Sequence, residues 1–445
     1  MAILVTGGAG YIGSHTALAL MERGYDVVIL DNLCTGRREF VDVLSAQTLA
    51  GRLDGFVEGD MLDAGALSEA FGGHGIDAVV HLASLSIVSE SVDDPDRYRR
   101  NNVQGAKCLL DAMSQNGCRC IVVSSSASVY GDPGKRAVKE ECQCSPVNPY
   151  GDTKLAVEEM VRGYCPDDGI RGALLRYFNV IGADPGGRLG EWREKETHLV
   201  PVMMDKILSG DGLEINGSDY ETPDGTCIRD YVDVTDVACA NVLALEYLLN
   251  GGPTECFNIG TSVGLSVMDV VKSAEDALGV KIGSKVAGRR RGDPAVLVAD
   301  ISRSKEVLGW QPRRSLAESL NSAYNWAAGR RANGTHAGLS REPHPQPPGS
   351  SVRRNPADTS RNVPACFVKC SQRAFAYYIS KECTHRAIWQ DVGFEANPRR
   401  FPLLQIHRVH RSRAGASRRR VPAGRRDCAG EDHGLRAEGC RVLQD

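Results

Sequence analysis

The sequence shows little sign of a metal site or of a domain stapled by disulfides. Its 15 cysteines are scattered over 445 residues, and no two of them form a C-x-x-C pair. Such usage is typical neither of a zinc ribbon nor of a disulfide framework. We therefore expect no metal, and free thiols of the kind found in a reducing cytoplasm.

Long apolar runs and a leader segment are also lacking. No apolar run approaches the roughly 18 residues that a membrane-spanning helix needs. The first predicted strand begins at Ala2, with no basic or apolar stretch before it. These absences predict a cytoplasmic protein without a membrane partner.

The net charge is only −3, but it is unevenly distributed. Residues 330–445 hold 22 lysines and arginines against 10 aspartates and glutamates, whereas residues 1–329 hold 31 against 46. An acidic body of this kind argues against a nucleic-acid partner.

The chain opens with an apolar run and a glycine-rich turn. Residues 2–5 predict a buried strand, and Gly7, Gly10 and Gly13 follow it ahead of a predicted helix at 12–21. In a dinucleotide-binding turn the first glycine permits the turn, the second lets the backbone approach a pyrophosphate, and the third lets the helix pack closely. The phosphates would lie at the helix N-terminus, where N–H groups favour anions.

A carboxylate ends the second predicted strand. Val27–Leu30 is followed by Asp31, 18 residues after Gly13. An acidic residue there accepts hydrogen bonds from an adenosine ribose and would repel a 2′-phosphate, so the sequence predicts NAD rather than NADP. Asp60 follows a third predicted strand at 55–58 and is placed to accept from the adenine amino group.

Two further apolar runs, at 78–83 and 120–123, alternate with predicted helices. Strands that alternate with helices in this way predict an α/β fold with a doubly wound parallel sheet. Ligands of such sheets bind at the carboxyl ends of the strands. His81 lies inside one apolar run with no second ligand spaced for a metal, so we interpret it as structural.

A serine, a tyrosine and a lysine complete the pattern. Ser124–Ser126 follow the fifth predicted strand, and Tyr150 and Lys154 lie four residues apart on a helix predicted over 148–164. At that spacing both side chains share one helix face, where an ammonium would lower the pKa of the phenol. With a serine hydroxyl they would form a proton-transfer site.

Several segments, in this order, resemble a known family. TGGAGYIGSHT at 6–16, SSSASVYG at 124–131, PYGDTK at 149–154 and LRYFNVIGA at 175–183 are similar to the extended short-chain dehydrogenase/reductases, and within them to the UDP-hexose 4-epimerases. The resemblance continues to about residue 328 through DGTCIRDYVDV at 224–234, NIGTSVGLSVMDVV at 258–271 and GRRRGDP at 288–294.

The resemblance implies an architecture and a set of site residues. We expect a Rossmann-type NAD-binding domain at 1–179, a smaller mixed α/β UDP-sugar-binding lobe at 180–328, and a homodimer formed through helices at about 98–115 and 150–164. The catalytic residues would be Ser126, Tyr150 and Lys154. The cofactor NAD would be held by Gly7, Gly10, Tyr11, Ile12, Gly13, Asp31, Asn32, Asp60, Met61, Leu82, Ala83, Asn102, Ser124, Tyr150, Lys154 and Tyr177. The UDP-sugar would be held by Ser126, Tyr150, Phe178, Asn179, His198, Leu199, Asn216, Arg229, Arg290 and Asp293.

Departures from the family pattern refine this expectation. The loop Ala83–Val88 lacks the lysine that the family commonly carries there, which predicts weaker retention of NAD. Asn216 stands where an aromatic or apolar residue commonly borders the uracil, and Leu297 falls about where the family sets the size of the sugar pocket. Ser126 and Ala127 stand where the related dehydratases carry an Asp-Glu pair, so the elimination of water is not supported.

The implied reaction is the interconversion of UDP-galactose and UDP-glucose. The Tyr150 phenolate would take the proton of the C4 hydroxyl while a hydride passes from C4 to NAD+, and the hydride would return to the opposite face of the turned keto sugar. Two alternatives remain among enzymes: a UDP-N-acetylhexosamine 4-epimerase, or another UDP-sugar dehydrogenase or decarboxylase. From another class, a non-catalytic NAD(H)-binding sensor or scaffold would share the same fold.

The segment 329–445 differs in composition from the rest of the chain. It is rich in arginine and proline and poor in leucine, isoleucine and valine, which predicts a basic, disordered extension. A nucleic-acid-binding tail would need aromatic interleaving, which is missing. A zinc site at Cys366, Cys370, Cys383 and His385 would lack the paired spacing of known sites.

Overall fold

The apolar runs predicted as strands form a parallel sheet in the computed structural model, which describes residues 1–134, 136–289 and 293–332. The strands are β1 (Ala2–Thr6), β2 (Asp26–Asp31), β3 (Leu53–Glu58), β4 (Ile76–His81), β5 (Cys120–Ser126), β6 (Arg171–Tyr177), β7 (Asn179–Ile181), β8 (Leu213–Asn216), β9 (Ile228–Asp233), β10 (Glu255–Ile259), β11 (Gly264–Ser266), β12 (Ser284–Ala287) and β13 (Val296–Leu297).

Helices separate most of these strands, as the alternation in the sequence predicted. They are α1 (Tyr11–Glu22), α2 (Arg38–Ser45), α3 (Ala64–Gly72), α4 (Val88–Asp93), α5 (Pro95–Tyr98), α6 (Gly105–Gln115), α7 (Pro149–Asp168), α8 (Leu199–Ser209), α9 (Val234–Leu249), α10 (Val267–Leu278), α11 (Ser302–Val307) and α12 (Leu316–Ala332). A π-helical turn at Arg99–Gln104 joins α5 to α6, and a 3-10 turn at Ala127–Tyr130 follows β5. None of the helices in the described residues combines the length and the apolarity needed to span a bilayer.

The main sheet has seven strands in the order β10-β6-β5-β4-β1-β2-β3, and all neighbours run parallel. The strand order reverses at β1, so the chain leaves β1 and β4 in opposite directions. Loops therefore diverge at their carboxyl ends and leave a crevice in which ligands of such sheets bind. The predicted doubly wound α/β fold is confirmed.

Burial on both faces explains why these strands are continuous apolar runs. All five residues of β1 are buried: Ile3 and Val5 belong to one apolar cluster and Leu4 to the other. Helices α1, α2 and α9 supply side chains to the first cluster, and α3, α6 and α7 supply them to the second. A strand covered on both faces has no polar side to alternate with.

The second half of the chain is divided between two lobes. β10 pairs with β6 in the main sheet, and α9 packs on the same face as α1. The remaining elements form a smaller lobe, with β7 and β13 parallel and β11 antiparallel to β9, and β8 paired with β12. The predicted boundary at 179 therefore does not separate the lobes, because α9 and β10 return to the first one.

The predicted end of the smaller lobe also differs slightly from the structure. Helix α12 continues to Ala332, past the predicted limit at residue 328. The predictions made for the rest of the tail, including its zinc and nucleic-acid alternatives, lie outside the described residues.

Candidate active site

The carboxyl ends of the strands face a cavity of about 990 Å³ that has walls from both lobes. Among the predicted site residues that the structure describes, all except Asn102 line this cavity. Arg290 lies outside the described residues. The sequence therefore identified groups that the fold does bring together, from positions as distant as Gly7 and Asp293.

The glycine-rich turn has the shape that a dinucleotide requires. Gly7 has a φ of +72°, and a Cβ there would lie 2.6 Å from the backbone nitrogen of Ala83. A Cβ on Gly13 would collide with the carbonyl oxygen of Gly7. Gly10 is the N-cap of α1, and no side chain caps this helix. The first N–H groups of α1 therefore remain available to an anion at the cavity wall, which fits the diphosphate of NAD.

Asp31 ties the loop after β2 to the glycine-rich turn. One carboxylate oxygen accepts from the Ala9 amide at 3.0 Å and the other from the Leu33 amide at 2.8 Å. Burial raises the pKa of the Asp31 carboxyl. Next to it, the Asn32 amide donates to Asp60 at 2.8 Å, so the loops after β2 and β3 are joined where adenosine is predicted to bind.

The N-terminus of α7 positions the tyrosine and the lysine. Asn148 caps the helix by accepting from the Gly151 amide at 2.9 Å, and Pro149 occupies the first turn, where its missing N–H has no cost. Tyr150 and Lys154 then lie one turn apart on the face toward the carboxyl end of β5. Ser126, the last residue of that strand, lines the same cavity and acts to lower the pKa of the Tyr150 phenol.

Lys154 is turned toward the strand ends rather than toward the phenol. Its ammonium donates to the Ser124 carbonyl oxygen at 2.7 Å and to Ser84 Oγ at 2.8 Å, and it lies 5.8 Å from the ring centroid of Tyr150. The side chain is buried, and burial lowers the pKa of Lys154 to about 7.

The pKa of Tyr150 differs from the prediction. Burial raises it above its ordinary value, while Ser126 and the charge of Arg193 act in the opposite direction. The predicted lowering by Lys154 is not seen, because desolvation outweighs the influence of an ammonium that faces Ser84 and Ser124. The sequence spacing revealed the helix face but could not reveal the desolvation.

A buried ion pair fixes α7 against β5 and β6, and nothing in the sequence pointed to it. Glu158 lies one turn after Lys154 and accepts from Ser125 Oγ at 2.5 Å. Arg176 donates to the same carboxylate at 2.8 Å and 2.7 Å. The guanidinium also donates to the hydroxyl of Tyr130 at 2.9 Å. The hydroxyl of Ser125, which lies between Ser124 and Ser126 on β5, is therefore held by a buried carboxylate.

Asn102 has a different place from the one predicted. It is buried, accepts from the Leu85 amide at 2.9 Å, and donates to the Leu85 carbonyl and to Thr153 Oγ1. It therefore fixes the loop after β4 to helix α7 without reaching the cavity. Asn101 lines the cavity instead. The π-helical turn in which both lie is not visible in the sequence pattern, so the sequence could not say which of the two faces inward.

His81, interpreted as structural, is buried at the end of β4. Its Nδ1 is 2.8 Å from Thr6 Oγ1, and burial, with a smaller effect of Lys154, lowers its pKa to about 3. Within the described part of the chain, no group of three or more histidine, cysteine, aspartate or glutamate residues could hold a metal ion.

The smaller lobe supplies the opposite wall of the cavity. Arg229 on β9 is nearly buried and donates to Asp293 and to the Pro294 carbonyl. Burial alone would lower the pKa of this guanidinium, but the carboxylate of Asp293 outweighs it and the pKa is raised. His198 precedes the first residue of α8 without a capping hydrogen bond from its side chain, and its Nδ1 lies 2.6 Å from Glu191. The wall thus presents a permanent cation and polar groups to a ligand.

Several residues of the cavity wall were not predicted from the sequence. They lie in irregular loops or on the smaller lobe, and they include Ser84, Ser86, Arg193, Glu196, Thr197 and Tyr231. A loop between β7 and α8 has no periodicity that would place a side chain, so only the fold could reveal Arg193.

The geometry is that of a dinucleotide-binding α/β protein with a serine–tyrosine–lysine cluster facing a second, ligand-binding lobe. Residues 3–260 match the NAD dependent epimerase/dehydratase family. The chain belongs to this family.

Individual relatives extend the match over both lobes. The chain is 43% identical over 329 residues to the UDP-glucose 4-epimerase of Lacticaseibacillus casei, an alignment that covers 73% of this chain and 96% of that protein. It is similar to the crystal structure of the Brucella ovis UDP-glucose 4-epimerase in complex with NAD, at 42% identity and a TM-score of 0.68, over 73% of this chain and 98% of that one. The Bifidobacterium longum UDP-glucose 4-epimerase, solved with NAD+ and UDP, is 33% identical with a TM-score of 0.69, over 76% and 100% of the two chains.

Proposed function

We propose that this protein catalyses the NAD-dependent 4-epimerisation of UDP-galactose and UDP-glucose. The observation that carries the proposal is the position of Ser126, Tyr150 and Lys154 on a cavity that has a dinucleotide-binding turn on one wall and the smaller lobe on the other. When bound, NAD supplies a reversible hydride acceptor. The relatives named above, which align over nearly their whole length, support the same activity.

The protein's own residues would handle the proton and the orientation of the substrate. Tyr150 would take the proton from the C4 hydroxyl and return it, since its phenol is the titratable group that lies beside Ser126 on the cavity wall. Ser126 would orient the C4 oxygen. Lys154, held by Ser84 and Ser124, would bind a ribose hydroxyl of the cofactor and stabilise the phenolate once the site is filled.

The remaining predicted residues would divide between two ligands. The uncapped N-terminus of α1 would bind the diphosphate of NAD, and Asp31, Asn32 and Asp60 would bind its adenosine. Arg229, Asp293 and the residues around the start of α8 would bind the UDP handle, whose binding energy holds the substrate while the sugar turns. The polar pair of Arg229 and Asp293 supports this assignment, because the guanidinium is already oriented at the cavity wall.

The experiment is an assay of UDP-galactose and UDP-glucose interconversion by the purified chain, with and without added NAD+. We expect turnover that Tyr150→Phe abolishes and that Tyr247→Phe, a tyrosine packed against Phe257 away from the cavity, leaves unchanged. Turnover that requires added NAD+ would support weak cofactor retention through the lysine-free loop Ala83–Val88. Turnover of UDP-N-acetylglucosamine alone would move the substrate to the N-acetylated sugars. No turnover of either sugar would contradict the proposal and favour a sensor or scaffold.

We also propose a cytoplasmic homodimer. The ten cysteines in the described residues are all free thiols, which fits a reducing compartment. Helices α6 and α7 lie side by side, with Tyr164 donating to Asp111 and Ser114 donating to Asp168, both at 2.5 Å. They thus offer the pair of helices through which the family resemblance implies dimerisation. Sedimentation velocity would measure the mass in solution, and a monomer at assay concentration would refute this assembly.

A further inference from the structure

One residue of the cavity links the two lobes next to the candidate acid/base. Arg193 lies in the loop between β7 and α8, and its Nη2 donates to Ser86 Oγ at 3.3 Å in the loop after β4. Its side chain is only 18% exposed. A guanidinium from the smaller lobe therefore reaches across to the loop of the larger lobe that carries no cation of its own.

The position of Arg193 is fixed from both ends. Its Nε donates to Glu191 at 3.1 Å, and its backbone amide donates to Glu196 at 2.8 Å. Although burial raises the pKa of the Glu191 carboxyl, His198 and Arg193 outweigh it and the pKa is lowered, so this carboxylate is ionised at neutral pH. The carboxylate holds one edge of the guanidinium, and the other edge is directed at Ser86.

The loop after β4 is also contacted by Lys154 of helix α7. Ser84 accepts from Lys154, and Ser86, two residues later, accepts from Arg193. The two groups differ in chemistry: burial lowers the pKa of Lys154 to about 7, whereas a guanidinium stays charged throughout the working pH range. Arg193 is therefore the constant positive charge beside the loop.

Several charged and titratable groups of the described residues act on this pair. Tyr150 is surrounded by Lys154 on its own helix, by Tyr98 and Tyr177, and by Arg193. Arg193 in turn meets Glu191, Glu196 and Tyr11. Among these groups, Arg193 is the one whose charge acts to lower the pKa of Tyr150, against the effect of burial.

We infer that Arg193 is a positioning residue for proton transfer at Tyr150: it donates to Ser86 and so carries a fixed positive charge from the smaller lobe into the cavity that Tyr150 also lines. The inference rests on the proposed function, because it acts through Tyr150.

The test compares the pH dependence of kcat/KM for UDP-galactose among three proteins: the wild type, Arg193→Gln and Arg193→Lys. Glutamine keeps an N–H donor at the position of Nε, toward Glu191, but removes the charge and the donor to Ser86. We expect the acidic limb of the kcat/KM profile of Arg193→Gln to move up by about one pH unit, which is the lower end of the effect of a nearby opposite charge. Below the limb, kcat/KM should fall roughly tenfold. Lysine should leave the limb near its wild-type position.

Two further variants separate charge from structure. Arg188 also lies in the loop between β7 and α8, where it pairs with Asp184 at 2.8 Å. Arg188→Gln should leave the acidic limb unchanged. Ser86→Lys combined with Arg193→Gln places an ammonium where the guanidinium ends, and it should return the limb toward its wild-type position. If Arg193 had only a structural role, a charge supplied from the larger lobe would not restore the pH profile of Arg193→Gln.

A spectroscopic readout keeps this inference separate from the activity itself. The tyrosinate absorbance titration of the purified protein, after subtraction of the titration of Tyr150→Phe, reports the pKa of Tyr150 without turnover. We expect this pKa to be raised in Arg193→Gln. If the limb and this titration are both unchanged in Arg193→Gln, the inference is overturned while the proposed function stands. If Tyr150→Phe retains full epimerase activity, the proposed function fails first.

Discussion

The buried pair of Glu158 and Arg176 gives a prediction whose size follows from its contacts. Glu158 is fully buried, and its shortest hydrogen bonds come from Ser125 and Arg176, at 2.5, 2.8 and 2.7 Å, with longer ones from the more exposed Arg162 and from Cys256. Glu158→Gln keeps the shape but removes the charge and turns an amide N–H₂ toward a donor. Removing one partner of a buried ion pair costs about 3–5 kcal/mol, because the other charge is left uncompensated.

The assay is equilibrium denaturation in urea, followed by circular dichroism. We expect Glu158→Gln to lower the free energy of unfolding by about 3–5 kcal/mol. The matched control is Glu58→Gln, which breaks an exposed pair with Arg38, and it should cost less than about 1 kcal/mol. Combining Glu158→Gln with Arg176→Gln should cost less than the sum of the two single losses, because the second change removes the uncompensated charge.

The same pair predicts a pH dependence. Burial alone would raise the pKa of Glu158, but the hydrogen bonds and charge of Arg176 outweigh it and the pKa is lowered. The advantage of the wild type over Glu158→Gln should therefore be complete above the unfolded carboxyl pKa of about 4.3 and vanish as the pH falls through the lower folded value. A loss in Glu158→Gln no larger than in the control, or one independent of pH, would refute the reasoning.

Three further predictions follow from the site. Gly7→Ala should reduce the NAD content of the purified protein, because its φ of +72° and the backbone of Ala83 oppose a Cβ; unchanged NAD content on acid extraction would contradict the assignment. Lys154→Met should abolish epimerisation yet unfold at higher urea near pH 7, since the wild type must bury a lysine whose pKa is lowered to about 7. That advantage should disappear as the pH rises toward the unfolded lysine value of about 10.4, and its persistence there would show another origin. Because burial lowers the pKa of His81 to about 3, His81→Gln should unfold less readily than the wild type as the pH falls from about 6.5; equal acid sensitivity of the two would exclude this cause.

Much of the fold could be predicted because local patterns and geometry agreed. Apolar runs buried on both faces, with glycines at 7, 10 and 13 between the first strand and helix, indicate a parallel sheet with a tight glycine-rich turn. The spacing of Tyr150 and Lys154 places them on one face of α7 whatever surrounds that helix. These features depend on neighbours within a few residues.

What the sequence could not show depends on distant contacts. The pKa of Tyr150 is set by burial, which no spacing reveals, and the role of Asn102 depends on a π-helical turn that rotates it away from the cavity. Arg193 reaches Ser86 across 107 positions of the chain. The return of β10 to the main sheet is equally hidden, since the run Glu255–Ile259 would suit a strand in either lobe.

The placement of β10 has a consequence for the synthesis of the protein. Until residues 255–259 have left the ribosome, β6 is the bare edge of a parallel sheet, with unpaired N–H and C=O groups that could pair with another chain. Helix α9, which packs on the sheet face beside α1, is synthesised only shortly before β10. The larger lobe therefore cannot finish folding while the ribosome is still making the smaller one, and the nascent chain has to be protected from aggregation over more than half of its length.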